Sequence, residues 1–139
     1  MTIRLDHANL SVRDVDATAR FLEAALPDFR VRGTGAWYGR RWVHVGNDAV
    51  YVALYESRAS APADAGGPGL NHVGFEVEDV EAVRARLAAA GYRDSTTPNA
   101  HPHRKRVYFE DADGNDWEFV EYASDDPAER NDYALRETA

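Results

Sequence analysis

Two histidines and two glutamates stand out in this chain because they occur as a repeated pair. His7 precedes Glu56 by the same 49 residues that separate His72 from Glu121, and the second pair follows the first at an offset of 65. Imidazole nitrogen and carboxylate oxygen are ligands for zinc, nickel, cobalt, manganese or ferrous iron, and with no sulfur in the set a soft metal is disfavoured. Four such donors would leave an octahedral ion with open positions for water or substrate oxygens, which is the arrangement of a catalytic metal. The expectation is therefore one divalent metal per site, held by His7, Glu56, His72 and Glu121.

The repeat that carries the four residues is long. Sliding residues 5 to 58 onto 70 to 123 without a gap superposes Leu5, His7, Val12, Asp14, Val15, Ala17, Leu22, Ala24 and Ala25 on identical residues, and sets Asp6 against Asn71. Arg41 then falls on Arg106 and Asp48 on Asp113. A period of this size marks a duplicated module.

Each copy reads the same way. Residues 3 to 12 alternate, with Ala8, Leu10 and Val12 apolar and His7, Asn9 and Ser11 polar, as in a strand buried on one face. Val73, Phe75 and Val77 repeat the pattern opposite His72, Gly74 and Glu76. Asp14 and Asp79 open helices over Val15 to Leu26 and Val80 to Ala90, ended by Pro27 and Gly91. A strand near 29 to 38, and another near 92 to 97, precedes a hairpin in each copy: 42 to 45 with 49 to 56, and 106 to 109 with 116 to 122. The fold class is α+β, two tandem β-α-β-β-β modules over residues 1–58 and 70–123, forming an eight-stranded, cup-shaped sheet. Residues 59–69, rich in Ala, Gly and Pro, read as a linker, and the charged segment 124–139 as a surface arm.

Composition narrows the classes. Cysteine is absent, so neither disulfides nor thiolate metal sites exist. A net charge of −8 argues against a nucleic-acid partner. No apolar run reaches the length of a membrane span and the N-terminus carries no export pattern, so a cytoplasmic protein that contacts no membrane is expected.

The segments LDHANLSVRDVDATARFLEAAL, LNHVGFEVEDV and VYFEDADGNDWEFVEY resemble the vicinal oxygen chelate superfamily of glyoxalases, bleomycin resistance proteins and dioxygenases, over residues 3–123. The His, Glu, His, Glu order is similar to that of bacterial glyoxalase I. That resemblance implies a homodimer and a metal-dependent isomerase or lyase. The metal would chelate adjacent oxygens of a small substrate, and Glu121 or Glu56 would double as the base. Where glyoxalase I carries the arginine that holds glutathione, this chain has Ser11, which implies a substrate other than a glutathione adduct. The resemblance also admits an iron-dependent dioxygenase, against which the second carboxylate counts, and a binding protein that sequesters an antibiotic.

Around the metal, the cationic run His101, His103, Arg104 and Arg106 suits an anionic small-molecule substrate. Trp117 and Phe119 share strand parity with Glu121 and are expected to line the cup; Val50, Val52 and Leu54 share that of Glu56, and for these aliphatic residues core packing is the better account. Trp37, on a glycine-rich segment, suits either a lid over the substrate or a cover for the sheet edge, and Glu76, with the parity of His72, is a candidate support for the metal, although solvent exposure is the simpler reading.

Overall fold

The computed structural model describes residues 3–57, 70–98 and 100–133, so the predicted linker lies outside the described residues. The chain divides into two units, 1–63 and 64–139. The first, module 1, runs β1 (His7–Val12), α1 (Val15–Ala25), β2 (Arg30–Trp37), β3 (Arg40–Gly46) and β4 (Tyr51–Glu56). Module 2 runs β5 (His72–Glu76), α2 (Val80–Ala89), β6 (Arg93–Asp94), β7 (Arg104–Glu110), β8 (Asp116–Tyr122) and a short α3 (Pro127–Arg130). The α+β class and the β-α-β-β-β order are as expected. The strands pair as two four-stranded mixed sheets, β1-β4-β3-β2 and β5-β8-β7-β6, each with its outer pair β1/β4 or β5/β8 parallel.

The helices start where the aspartates place them. The Asp14 carboxylate accepts from the backbone N–H of Asp16 and Ala17, and Asp79 does the same for Glu81 and Ala82, so both helices begin with satisfied donors. Gly91, at φ +87°, ends α2 with paired bonds from Tyr92 N to Leu87 O and from Gly91 N to Ala88 O, a reversal that a side chain would strain.

One face of each sheet is the core. In module 1, Val43, Val45, Val52 and Leu54 are buried with Phe21 and Leu22 of α1, which packs on β3 and β4. In module 2, Val107, Phe109, Trp117 and Phe119 are buried with Val80, Val83 and Leu87 of α2. Trp117 and Phe119 are wholly buried in this core and line no cavity on the histidine side, contrary to the expectation from sequence, whereas Val52 and Leu54 are the core residues their aliphatic side chains suggested. Trp117 Nε1 donates to buried Asp111, which also accepts from Asp113 N and Asn115 N and so fixes the β7–β8 turn.

The gapless repeat does not survive in the hairpins. Trp42 pairs with Tyr55 in module 1, but the strand partner of Val120, Tyr55's counterpart, is Arg106. Arg41 therefore corresponds in space to Lys105, not Arg106, because the β7–β8 loop holds one residue more than the β3–β4 loop. The edge strands also differ. β2 has eight residues with a bulge between Val31 and Gly33, and β6 has two.

The tail is not a free arm as far as Tyr133. Arg130 makes two hydrogen bonds to Glu76, at 3.0 and 2.8 Å, and stacks 3.8 Å from the Tyr122 ring centre. The Arg130 guanidinium holds the Glu76 carboxyl below its usual range.

Candidate metal site

Strand register decides which carboxylate meets which histidine. β5 and β8 run parallel with His72 level with Asp116, so Glu121 lies five residues further on, about 16 Å at 3.3 Å per residue. Its parity is that of Trp117 and Phe119, so it is also on the core side of the sheet. There Glu121 Oε2 accepts from Val80 N at 3.1 Å, at the start of α2. In module 1 His7 is level with Tyr51, and Glu56 stands at the far end opposite Val12, where its Oε2 accepts from Arg41 N at 3.0 Å. Within its own module, neither predicted glutamate can share an ion with its histidine. The repeat of the two glutamates is real, but both serve backbone N–H groups.

The carboxylate beside His72 is Glu118, which the sequence reading passed over. Glu118 is level with Gly74, on the face that carries His72, and its Oε2 lies 3.0 Å from His72 Nε2. Two donors bound at right angles about 2.1 Å from one ion would be about 3.0 Å apart. Gly74 lies beneath Glu118, and a Cβ there would sit 3.4 Å from Glu118 Oε2, an ordinary contact. The signal was present in DWEFVEY, where Asp116 and Glu118 alternate with the buried Trp117 and Phe119.

Each histidine is held by the residue before it. Asp6 Oδ2 lies 2.7 Å from His7 Nδ1, and Asn71 Oδ1 lies 2.8 Å from His72 Nδ1. A carboxylate only accepts, so His7 carries its proton on Nδ1 and leaves Nε2 a lone pair for a ligand; orientation by an outer oxygen is usual for metal-binding histidine. With Asn71 Oδ1 as acceptor, His72 has oxygen acceptors at both nitrogens. A neutral imidazole has one N–H, so the Nε2 contact with Glu118 suits a shared proton or a shared cation.

Glu118 has two more neighbours. Arg106 Nη1 stands 3.7 Å from Oε1, and Tyr108, level with Glu118 on β7, hydrogen-bonds to it. Burial first, and then the Glu118 charge, push the Tyr108 hydroxyl pKa above its ordinary value. Of the predicted substrate contacts, Arg106 thus reaches the His72 face. The rest of the cationic run is spent on the tail. His101 Nε2 meets Asp132 O at 3.1 Å, His103 Nδ1 meets Glu129 at 3.2 Å, and buried Arg104 donates to the carbonyls of Arg130 and Asp132. Glu76 supports Arg130, not the histidine.

The corresponding face of module 1 is built of rings. Ala53 takes the place of Glu118, His44 that of Tyr108, and Trp42 that of Arg106. The His7 and Tyr51 rings stack at 4.7 Å, Tyr51 meets His44 at 4.8 Å, and His44 meets Trp42 at 4.7 Å. The Trp42 indole lies on the glycines of β2, where a Cβ on Gly35 would sit 2.7 Å from Cζ2. Trp37 is on this face and 62% exposed, beside Tyr55. Burial, then the nearby His7 and Arg32 charges, hold the His44 pKa below its ordinary value.

The residues therefore fit a divalent metal as a two-donor pair, His72 with Glu118, in module 2. No group of three or more His, Cys, Asp or Glu side chains suited to a metal ion occurs among the described residues. No helix among them is long and apolar enough to cross a membrane.

With this geometry in place, comparison with known proteins defines the class. The family model of the glyoxalase/bleomycin resistance protein/dioxygenase superfamily matches residues 4–119, and the chain belongs to that superfamily. A glyoxalase/bleomycin resistance protein/dioxygenase domain from Frankia sp. EAN1pec is similar at 25% identity and a TM-score of 0.76, over 94% of this chain and 98% of that one. A glyoxalase family protein from Bacillus cereus shares the fold at 17% identity and TM-score 0.70, covering 89% and 97%. Fosfomycin resistance protein FosX from Mesorhizobium loti does so at 21% and 0.67, covering 94% and 98%. No curated protein matches the chain.

Proposed function

We propose that the protein is a metal-dependent enzyme acting on a small substrate through adjacent oxygen atoms, with His72 and Glu118 as metal ligands and His7 in the same donor role in module 1. The observation that carries this reading is the 3.0 Å approach of His72 Nε2 to Glu118 Oε2 on one sheet face. When bound, the ion would polarise the substrate oxygens as a Lewis acid. Asn71 sets the His72 ring, and Arg106 and Tyr108 hold the Glu118 carboxylate in place.

The change of carboxylate alters the chemistry favoured. Glu56 and Glu121 were the expected bases, and both are bonded to backbone N–H groups on the core side. Glu118 is engaged by His72, Arg106 and Tyr108. A donor set with one carboxylate supports addition to a metal-polarised electrophile, lyase-type chemistry, ahead of isomerisation by a metal-side glutamate. It also removes the objection, a second carboxylate, to a second reading as an iron-dependent dioxygenase. The Mesorhizobium loti relative, at 21% identity, is named for fosfomycin resistance, which makes fosfomycin a first compound to assay.

Metal content by mass spectrometry tests the reading. We expect about one divalent ion per chain in the wild type, with His72→Ala and Glu118→Ala losing it and Glu121→Ala retaining it. Loss in Glu121→Ala with retention in Glu118→Ala would overturn the assignment. Iron in the wild type would put the dioxygenase first.

A further inference from the structure

The ring-paved face of module 1 has no part in the metal assignment beyond His7. Its composition is one-sided. Tyr51 and Tyr55 of β4, Trp42 and His44 of β3 and Trp37 of β2 all project from it, and none of its strand positions is acidic although the chain carries a net charge of −8. Two guanidinium groups lie over the rings, Arg32 at 4.4 Å from the Tyr51 centre and Arg40 at 5.7 Å from that of Tyr55. The copy in module 2 has Asp116, Val120 and Arg106 where this face has Tyr51, Tyr55 and Trp42.

The outer end of the face is exposed and strained. Trp37 is 62% and Tyr38 80% exposed, and Tyr38 has φ +50° in the two-residue turn it forms with Gly39, at φ +73°. Such turns favour Asn or Gly at the first position, because a bulky side chain at positive φ is unfavourable. The fold does not need two solvent-facing rings there. Strain at an exposed aromatic turn is the kind of cost retained for contact with something else.

We propose that this face binds a planar aromatic anion, its ring stacked on Trp37 and Tyr55 and its carboxylate or phenolate oxygen met by Arg40. Stacking accounts for the rings, and the absence of acidic strand positions together with Arg40 accounts for the sign of charge. The proposal rests on residues of module 1 alone and goes beyond the metal reading, so it stands or falls without a metal.

The test is calorimetric titration of metal-stripped full-length protein with 2-naphthoate, neutral 2-naphthamide and cyclohexanecarboxylate. Naphthoate is expected to bind at least tenfold more tightly than either analogue. Trp37→Ala should weaken naphthoate at least tenfold, and Arg40→Gln should weaken naphthoate while leaving naphthamide unchanged. Equal binding of cyclohexanecarboxylate, or naphthoate affinity intact in Trp37→Ala, would overturn the proposal. Circular dichroism on each variant confirms its fold. A metal-free wild type that binds naphthoate separates this result from the metal assignment, which the mass-spectrometric experiment decides.

Discussion

His44 shows how a single side chain reports on its surroundings. Burial, with His7 and Arg32 adding positive charge nearby, favours its neutral form, so its pKa in the folded protein lies below the ordinary 6.5. The unfolded chain then binds more protons than the folded one near that pH, and this contribution to stability is present above pH 6.5 and lost as pH falls through that value. Proton NMR should show the His44 ring titrating below 6.5; a midpoint at or above it would mean that the ring is not enclosed as described. The carboxylates teach the opposite lesson about reading residues singly. Glu56 and Glu121 repeat at the right offset and have the right chemistry, yet parity puts them on the core side. The deciding fact was available in Trp117 and Phe119, two large apolar residues that fix the buried side of β8 and leave Glu118 on the other. What the sequence could not supply was the register of β8 against β5, because the two strands are joined through a helix and two further strands and no local signal sets their pairing.

At the scale of elements, the same loop shows how the hairpin of module 2 is held. Asp111 is 6% exposed and binds two backbone N–H groups of its own turn together with the Trp117 indole. Trp117→Phe leaves that buried carboxylate one donor short, which costs about 1–3 kcal/mol, measurable as a lower denaturant midpoint with an unchanged slope. The helices and most strands were legible, since alternation and the capping aspartates are local signals. The tail was not: a charged segment looks solvated until its partners are known, and His101, His103, Arg104 and Glu76 lie at least 20 residues from it or come from another strand. Because Arg130 holds the Glu76 pKa down, the anchor is present above the ordinary carboxyl range near 4.5 and is lost as pH falls through the folded value. Limited proteolysis at pH 7 should cut residues 124–133 faster in Arg130→Gln than in the wild type, and the wild type's protection should fall as pH drops below the ordinary carboxyl range. Equal cutting of the two proteins at pH 7 would show that the pair does not anchor the tail.

For the molecule as a whole, duplication has produced two copies that share a backbone plan and differ in the chemistry of one face. Glu118 rests above a glycine, Gly74, whereas its counterpart Ala53 lies level with Asn9, and Ala53 is only 4% exposed among the rings. Restoring the repeat is therefore expected to fail. Ala53→Glu should destabilise the protein by about 2–3 kcal/mol through burial of a polar group without a matched partner, and Asn9→Gly combined with it should recover part of the loss in a denaturation curve. A neutral effect of Ala53→Glu would mean that the face has space for a second carboxylate.

The unequal edge strands carry a different consequence. An eight-residue strand at the border of a sheet offers its backbone as a template for a strand from another molecule, the first step of aggregation, and β6 with two residues offers almost none. β2 carries two features that oppose such templating: the bulge between Val31 and Gly33 breaks the regular ladder, and Arg30 and Arg32 place charge on either side of it. Residues of β2 far from any chemistry thus bear on how a concentrated solution of the protein behaves.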